Sequence, residues 1–311
     1  MISTIPIALF TYCRPDHTRR TAESLARNQL AKDSDLLIYS DAPRTPAKRA
    51  AVDEVRSYLK TITGFRSVTV KHRFENHGLA KSIIEGVTEI LEQSERIIVL
   101  EDDMLTSPHF LTYMNEALER YAEDERVISI HGYVYPVGQP LPESFFLPGA
   151  DCWGWGTWRR GWKHFNPDGQ HLLDELRRRK LSRAFDFNGA YPYSAMLEDQ
   201  IAGRNDSWAI RWYASAFLAD KLTLYPGRSL VHNIGNDASG THCGATSRMD
   251  TLPSESPIDL ANIAVEPSPE GWQAVERFLR RGQSKRHWRV RDWIPDALRR
   301  RIRSICRGDK G

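Results

Sequence analysis

Residues 97–103 read Ile-Ile-Val-Leu-Glu-Asp-Asp, four apolar residues running straight into three carboxylates, Glu101, Asp102 and Asp103. A run this short and this apolar is a strand covered on both faces, as in a parallel sheet. Such a strand cannot end in three charges unless something offsets their repulsion. A divalent cation is the obvious candidate.

At 311 residues and 41% hydrophobic content, the chain can hold one large α/β domain or two smaller ones around a packed core. The apolar stretch from Ile5 to Phe10 is too short for a membrane span and too early for a secretory signal. Cys13, Cys152, Cys243 and Cys306 are scattered, with no C-x-x-C pair. Neither a disulfide framework nor a thiolate zinc site is indicated, and the cytoplasm is the expected compartment.

The net charge of +3 hides an asymmetry. Residues 277–311 carry thirteen Lys and Arg against three acids, a local +10 that leaves residues 1–276 at −7. Within this tail Pro295 suits a first helical turn, and Ile294, Leu298, Ile302 and Ile305 repeat at helical spacing. Arginines fill the remaining positions, and Trp288 and Trp293 stand just upstream. The pattern predicts a basic amphipathic helix over 284–311, lying on the inner face of an anionic membrane. A helix docked on the body, or a nucleic-acid patch, would use the same residues; the two tryptophans favour the membrane.

Upstream, strands alternate with helices. Pro6 to Thr11, Asp35 to Ser40 and Ser67 to His72 read as strands; Asp16 to Asn28 (capped by Asp16), Ala47 to Leu59 and Leu79 to Leu91 read as helices. With the strand before Glu101 this is a βαβαβαβ run, expected to build a doubly wound parallel sheet with helices on both faces. Ligands of such sheets sit beyond the C-terminal strand ends. Three of those ends are polar: Thr11-Tyr12-Cys13-Arg14, Ser40-Asp41-Ala42-Pro43-Arg44 and Glu101-Asp102-Asp103. They are expected to converge on one crevice.

Neither G-x-x-x-x-G-K-[ST] nor a G-x-G-x-x-G after the first strand is present, which excludes a P-loop and the ordinary dinucleotide fingerprint. A nucleotide would be held by strand-end side chains, with Arg14 or Arg44 for phosphate and Asp41 for a base or ribose edge.

Read in order, Thr-Tyr-x-Arg-Pro, Ser-Asp-x-Pro-Arg, Glu75-Asn76-His77-Gly78-Leu79, then Glu101-Asp102-Asp103 followed by Ser107-Pro108-His109-Phe110, this chain resembles a GT-A-fold glycosyltransferase. It is similar to bacterial family 2 sugar transferases and to the N-acetylglucosaminyltransferase I family. The resemblance covers about Pro6 to His242. It implies a Rossmann-like GT-A domain over 1–250, with a nucleotide-sugar half over about 1–130 and an acceptor half over about 131–250. A linker and packing segment over 251–283 and the basic tail would follow.

The resemblance also implies roles. Asp103 would ligate Mn²⁺ or Mg²⁺, Asp102 would face the donor sugar, and Glu101 the ribose or a metal-bound water. Thr11, Tyr12, Arg14, Asp41, Arg44 and Asn76 would line the nucleotide site, with a UDP-sugar first among the donors. Trp153 and Trp155, in a segment with four tryptophans and close glycines, would form a sugar-binding wall. In Ser194 to Gly203, read as a helix capped by Ser194, Asp199 beside Glu198 would be the general base of an inverting transfer to a saccharide or lipid-linked acceptor. His242, beyond the glycines at 235 and 240, is preferred to His232 as a second metal ligand. Asp206-Ser207 caps a further buried helix, and Leu222 to Ile234 reads as one strand.

Two other functions use comparable parts. A sugar-phosphate nucleotidyltransferase also needs nucleotide, metal and α/β sheet, but the Gly-rich basic signature expected after its first strand is replaced here by Thr-Tyr-Cys-Arg-Pro. A non-catalytic tethering module would have no need of an intact triplet or of Glu198-Asp199. Polysaccharide synthesis at the cell surface is the expected setting, with no role for nucleic acid.

Overall fold

A computed structural model of the chain describes residues 4–237, 246–260 and 263–283. Its first half alternates β1 (Ile7–Thr11), α1 (Pro15–Ala26), β2 (Asp35–Ser40), α2 (Arg49–Leu59), β3 (Ser67–His72), α3 (Gly78–Gln93) and β4 (Arg96–Glu101). After the triplet come β5 (Met104–Thr106), α4 (Phe110–Arg120), β6 (Val127–His131), β7 (Ser144–Pro148) and β8 (Trp155–Trp158). A helical stretch follows: α5 (Arg159–Trp162), α6 (Gly169–Arg178), α7 (Ser182–Phe185), α8 (Tyr193–Ile201) and α9 (Trp208–Leu218). The chain returns through β9 (Leu222–Pro226) and β10 (Val231–Asn233) to α10 (Pro269–Gln283).

Eight strands form one sheet in the order β3-β2-β1-β4-β8-β6-β9-β7, with four of its seven pairings parallel. The four strands expected from the βαβ run are the parallel block; the antiparallel pairs belong to β8 and β7. Strand β1 has β2 on one side and β4 on the other, so the direction of winding reverses between β1 and β4. That reversal opens a crevice at the carboxyl ends of these two strands.

Both faces of the parallel block are buried, as the unbroken apolar run predicts. Ile7, Leu9, Leu36, Ile38, Ile98 and Leu100 pack with Leu25 of α1, Val55 of α2 and Met114 of α4. Their alternate neighbours Ala8, Phe10, Tyr39, Ile97 and Val99 pack on the other side with Ile83 and Val87 of α3 and Trp208 and Trp212 of α9. Alternation along each strand therefore feeds two cores rather than one core and solvent.

Three boundaries differ from expectation. Helix α1 starts at Pro15, with Arg14 rather than Asp16 at the cap position, because proline is pre-set for a first helical turn; Asp16 then lies in that turn, where its charge suits the helix dipole. Ser194 lies inside α8 and caps nothing; its backbone N–H is taken instead by Asp186 at 2.7 Å. The single strand expected over 222–234 is split at Pro226-Gly227, leaving β9 in the large sheet while β10 pairs with β5. Ser207 does cap α9, accepting from Ile210 N, and Gly203 takes the left-handed conformation after α8.

The segment over 251–283 ends in a packed helix: Val275, Phe278 and Leu279 of α10 share a core with Phe145 and Leu147 of β7. Among the described residues no helix is long and apolar enough to cross a membrane. The basic tail over 284–311, and His242, lie outside the described residues.

Candidate functional site

The three polar strand ends converge as expected. Thr11 O accepts from Asp41 N, Tyr12 N donates to Asp102 Oδ2 at 3.3 Å, and Tyr12 Oη accepts from Arg44 N at 2.9 Å. Thr11 itself is buried, its hydroxyl donating to Tyr39 O. At the crevice floor Asp102 and Asp103 are buried at 4% and 7% exposure, yet both carry carboxylates.

Their charge is met by Arg14. One guanidinium nitrogen, Nη2, pairs with Asp102 Oδ1 and, at 2.8 Å, with Asp103 Oδ2. The two aspartates hold this guanidinium's pKa above its ordinary value, against the opposing effect of burial. Arg14, expected to await phosphate, is thus occupied within the triplet. The answer to three crowded carboxylates is, in this state, an internal cation.

Glu101 stands apart from that clamp. Desolvation first, then the charges of Asp103 and Asp102, push its carboxyl up to about 8, although Arg14 and a hydrogen bond with the Trp208 indole pull the other way. At neutral pH this favours the protonated form of Glu101. Burial likewise raises the Asp103 carboxyl.

A loop after β10 closes over Asp103. Ile234 N donates to Asp103 O at 2.9 Å, and Asp237 pairs with His17 of α1 at 3.1 Å. Gly235 sits so close that an added Cβ would lie 2.1 Å from Asp103 Oδ2 and 3.0 Å from Arg14 Nη1. Glycine is required there by space. His232, on β10, accepts from Thr251 N at 3.4 Å.

The residues present fit a hard cation at one point: Asp103 Oδ1 is buried and has no hydrogen-bond partner. Magnesium and manganese are commonly held by one or two carboxylates, the remaining ligands being water and phosphate oxygens. Among the described residues no cluster of three or more His, Cys, Asp and Glu side chains is arranged to hold a metal unaided.

Asp41 corrects its expected role. Oδ1 accepts from Ala42 N and His77 N, and Oδ2 from Asn76 Nδ2 and Gly78 N, all at 2.8–2.9 Å. Both oxygens are spent on shaping the 73–78 loop and the start of α3, which leaves little to read a base or ribose. Asn76 is engaged in the same network, also donating to Ala42 O. Beside it lies a cavity of about 240 Å³ lined by Arg49, Arg56, His72, Arg73, Asn76 and the fully exposed Phe74.

The tryptophan wall is corrected as well. Trp155 is fully buried in β8, between β4 and β6, and packs on Trp162, Trp208 and Trp212 with centroids 5.4–5.9 Å apart. Gly156 is small to let α4 approach, since a Cβ would meet Leu118 and Met114 at 2.9 Å. Trp153 alone of the pair is partly exposed, edge-on to Tyr133 at 4.7 Å. Beside it Asp151 accepts from Tyr135 Oη at 3.0 Å, and the Cys152 thiol is raised by burial and by Asp151, Glu101 and Asp103 in turn. This loop therefore borders the triplet.

Of the two carboxylates expected to do chemistry, Asp199 is salt-bridged to Arg204 at 2.5 Å, and Glu198 to Arg177 at 2.7 Å. Both pairs lie on exposed surface of α8. Asp206 was expected only as part of a cap. It precedes α9 by two residues, its carboxylate is 67% exposed and pairs with Arg211 at 3.4 Å, and Trp208 at the start of α9 lies close enough to Glu101 to lower that carboxyl's pKa. The signal in the sequence was an aspartate directly before a serine cap on a helix apolar all round.

No family model matches the chain, and no curated protein does. Among solved structures it is similar to S. aureus TarS, 14% identical over 48% of this chain and 25% of that one, with a TM-score of 0.32. Against TarS 1-349 the identity is 10% over 75% and 61%, with a TM-score of 0.41; that fragment is also known in complex with UDP-GlcNAc. The mannosyltransferase PcManGT from Pyrobaculum calidifontis, in complex with GDP-Man and Mn²⁺, is 11% identical over 70% and 68%, at a TM-score of 0.37. The chain spans about a quarter of TarS and about three fifths of its 1-349 fragment. Likenesses this weak say nothing of the chemistry of the site.

Proposed function

We propose that this chain is an inverting, divalent-metal-dependent GT-A glycosyltransferase that moves a sugar from a nucleotide-sugar donor to a saccharide or lipid-linked acceptor. The observation that carries the reading is the buried Asp102-Asp103 pair at the point where the sheet reverses its winding, with one carboxylate oxygen of Asp103 left unpartnered. Asp103, beside Asp102, would hold Mn²⁺ or Mg²⁺, which when bound supplies positive charge against the donor diphosphate. The cavity at the ends of β2 and β3 suits the nucleoside, with Phe74 as an exposed ring and arginines around it. A UDP-sugar is our first candidate donor.

The remaining chemistry falls to a carboxylate on the acceptor side. An acceptor hydroxyl attacks the anomeric carbon as its proton passes to that carboxylate, and the bond to the diphosphate oxygen breaks on the opposite face, giving inversion. Asp206 is favoured over Asp199, because it adjoins Trp208 beside Glu101 and is held only loosely, by Arg211 at 3.4 Å, whereas Asp199 is held by Arg204 at 2.5 Å. Trp153 and the Asp151 loop would border the acceptor. The setting we propose is cell-surface polysaccharide synthesis, with the basic tail holding the enzyme on an anionic membrane face.

The test is release of nucleoside diphosphate from a panel of UDP-, GDP- and ADP-sugars, with and without Mn²⁺. Release from one donor class, dependent on the metal and increased by an oligosaccharide or lipid-linked acceptor, is expected. Absence of release from every donor would overturn the reading.

A further inference from the structure

Arg14 occupies an unusual position for a residue at the mouth of a nucleotide crevice. Its guanidinium is turned inward, one nitrogen bridging two buried carboxylates, and its side chain is only 19% exposed. The bridge is incomplete: Asp103 Oδ1 faces no donor, while Asp103 Oδ2 is taken by Arg14 and crowded by Gly235. A guanidinium and a divalent ion cannot share the same inward oxygens of Asp102 and Asp103. Removing the arginine with nothing in its place would leave two buried carboxylates unpaired, a costly state. Replacing it by an ion of higher charge would not.

We propose that Arg14 is the built-in counter-cation of the Asp102-Asp103 pair, displaced by the divalent ion, so that metal entry releases a guanidinium at the spot where the donor diphosphate arrives. This rests on Asp103 being the metal ligand. Asp103 Oδ1 is the oxygen at which the exchange starts. Arg14 sits at the cap position of α1 and its side chain makes no capping hydrogen bond, so its displacement requires no change in β1 or the helix. Two consequences follow. Metal alone binds weakly because it must expel Arg14. Metal and nucleoside diphosphate bind cooperatively because the phosphates give the expelled guanidinium a new partner, and that coupling is reciprocal.

The experiment is a titration of the full chain with Mn²⁺, following free Mn²⁺ by electron paramagnetic resonance, in wild type, Arg14→Met, Arg14→Lys and Asp103→Asn, with and without UDP. Arg14→Met is expected to bind Mn²⁺ alone at least tenfold more tightly than wild type, with Arg14→Lys between them. The gain that UDP gives wild type beyond its own chelation of the ion should shrink in Arg14→Met. Equal or weaker Mn²⁺ binding in Arg14→Met, with binding lost in Asp103→Asn, would overturn the exchange while leaving the metal site standing. Binding that survives Asp103→Asn, or no binding to any form, would remove the metal-ligand reading and the exchange with it. Should Arg14→Met fail to fold, Arg14→Lys decides: tighter binding than wild type supports the exchange, and unchanged or weaker binding overturns it.

Discussion

The two halves of the sheet handle unfavourable groups in opposite ways. In the parallel half, β1 to β4, the apolar residues are spent on two helical layers and the charges are pushed to the strand ends, where Arg14 pairs with both Asp102 and Asp103. In the antiparallel half, polar chemistry is threaded among aromatics: Asp151 is surrounded by Tyr135 and Tyr225, and Trp155 is enclosed by three other tryptophans. The first half concentrates charge, and the second builds an apolar support from which one helix end, that of α9, faces the charge.

The sharpest way to test that division is at the helix ends. Asp206→Asn is expected to retain donor binding and to lower transfer by roughly 10²–10⁴-fold, the usual contribution of a general base. Asp199→Asn should change transfer by no more than a few-fold. Full transfer in Asp206→Asn together with its loss in Asp199→Asn would reverse the assignment of the two helices.

Next in size is the contrast within the tryptophan segment. Trp155→Ala removes a buried ring from a closed aromatic cluster and should cost about 3–5 kcal/mol in chemical denaturation. Trp153→Ala should cost less than about 1 kcal/mol while weakening acceptor use. Similar losses of stability in both would erase the distinction between support and wall.

A smaller effect concerns pH in the metal-free protein. Because the folded-state pKa of Glu101 is raised to about 8 from its ordinary 4.5, the stability linked to its neutral form is present below about pH 4.5 and is lost as pH rises toward and through 8. Glu101→Gln should therefore gain on wild type as pH increases over that window, by an amount on the order of a few kcal/mol at the upper end. Parallel pH profiles for the two proteins would show that Glu101 is already ionised in the fold. The smallest change is expected from deleting 284–311, which should release the protein from anionic vesicles at moderate salt and leave the melting temperature of the body unchanged. Undiminished vesicle binding would discard the tail as anchor.

Much of the parallel half was legible in the sequence because its signals are local. An apolar run bounded by Glu101-Asp102-Asp103 has few alternatives to a doubly buried strand, and Ser207 and Gly203 mark helix ends through their own backbone chemistry. What escaped depends on contacts far apart in the chain. Asp41 looks like a ligand-facing strand-end acid until the 73–78 loop folds back and takes both its oxygens. Trp155 looks like a sugar platform until β8 inserts between β4 and β6. Ser194 is displaced as a cap by Asp186, eight residues away, and Asp206 gains meaning only when Trp208 reaches Glu101. Arg14 is the clearest case: its type suggested phosphate, whereas its neighbours make it an internal cation.

The central claim, that the Asp102-Asp103 strand end is a metal-dependent diphosphate site, is tested most directly by calorimetric titration of UDP into wild type and Asp103→Asn, each with and without Mn²⁺. The account predicts binding to wild type that depends on Mn²⁺ and is lost in Asp103→Asn, with both proteins melting cooperatively. Binding of equal strength in the two proteins, or binding indifferent to Mn²⁺, would contradict it.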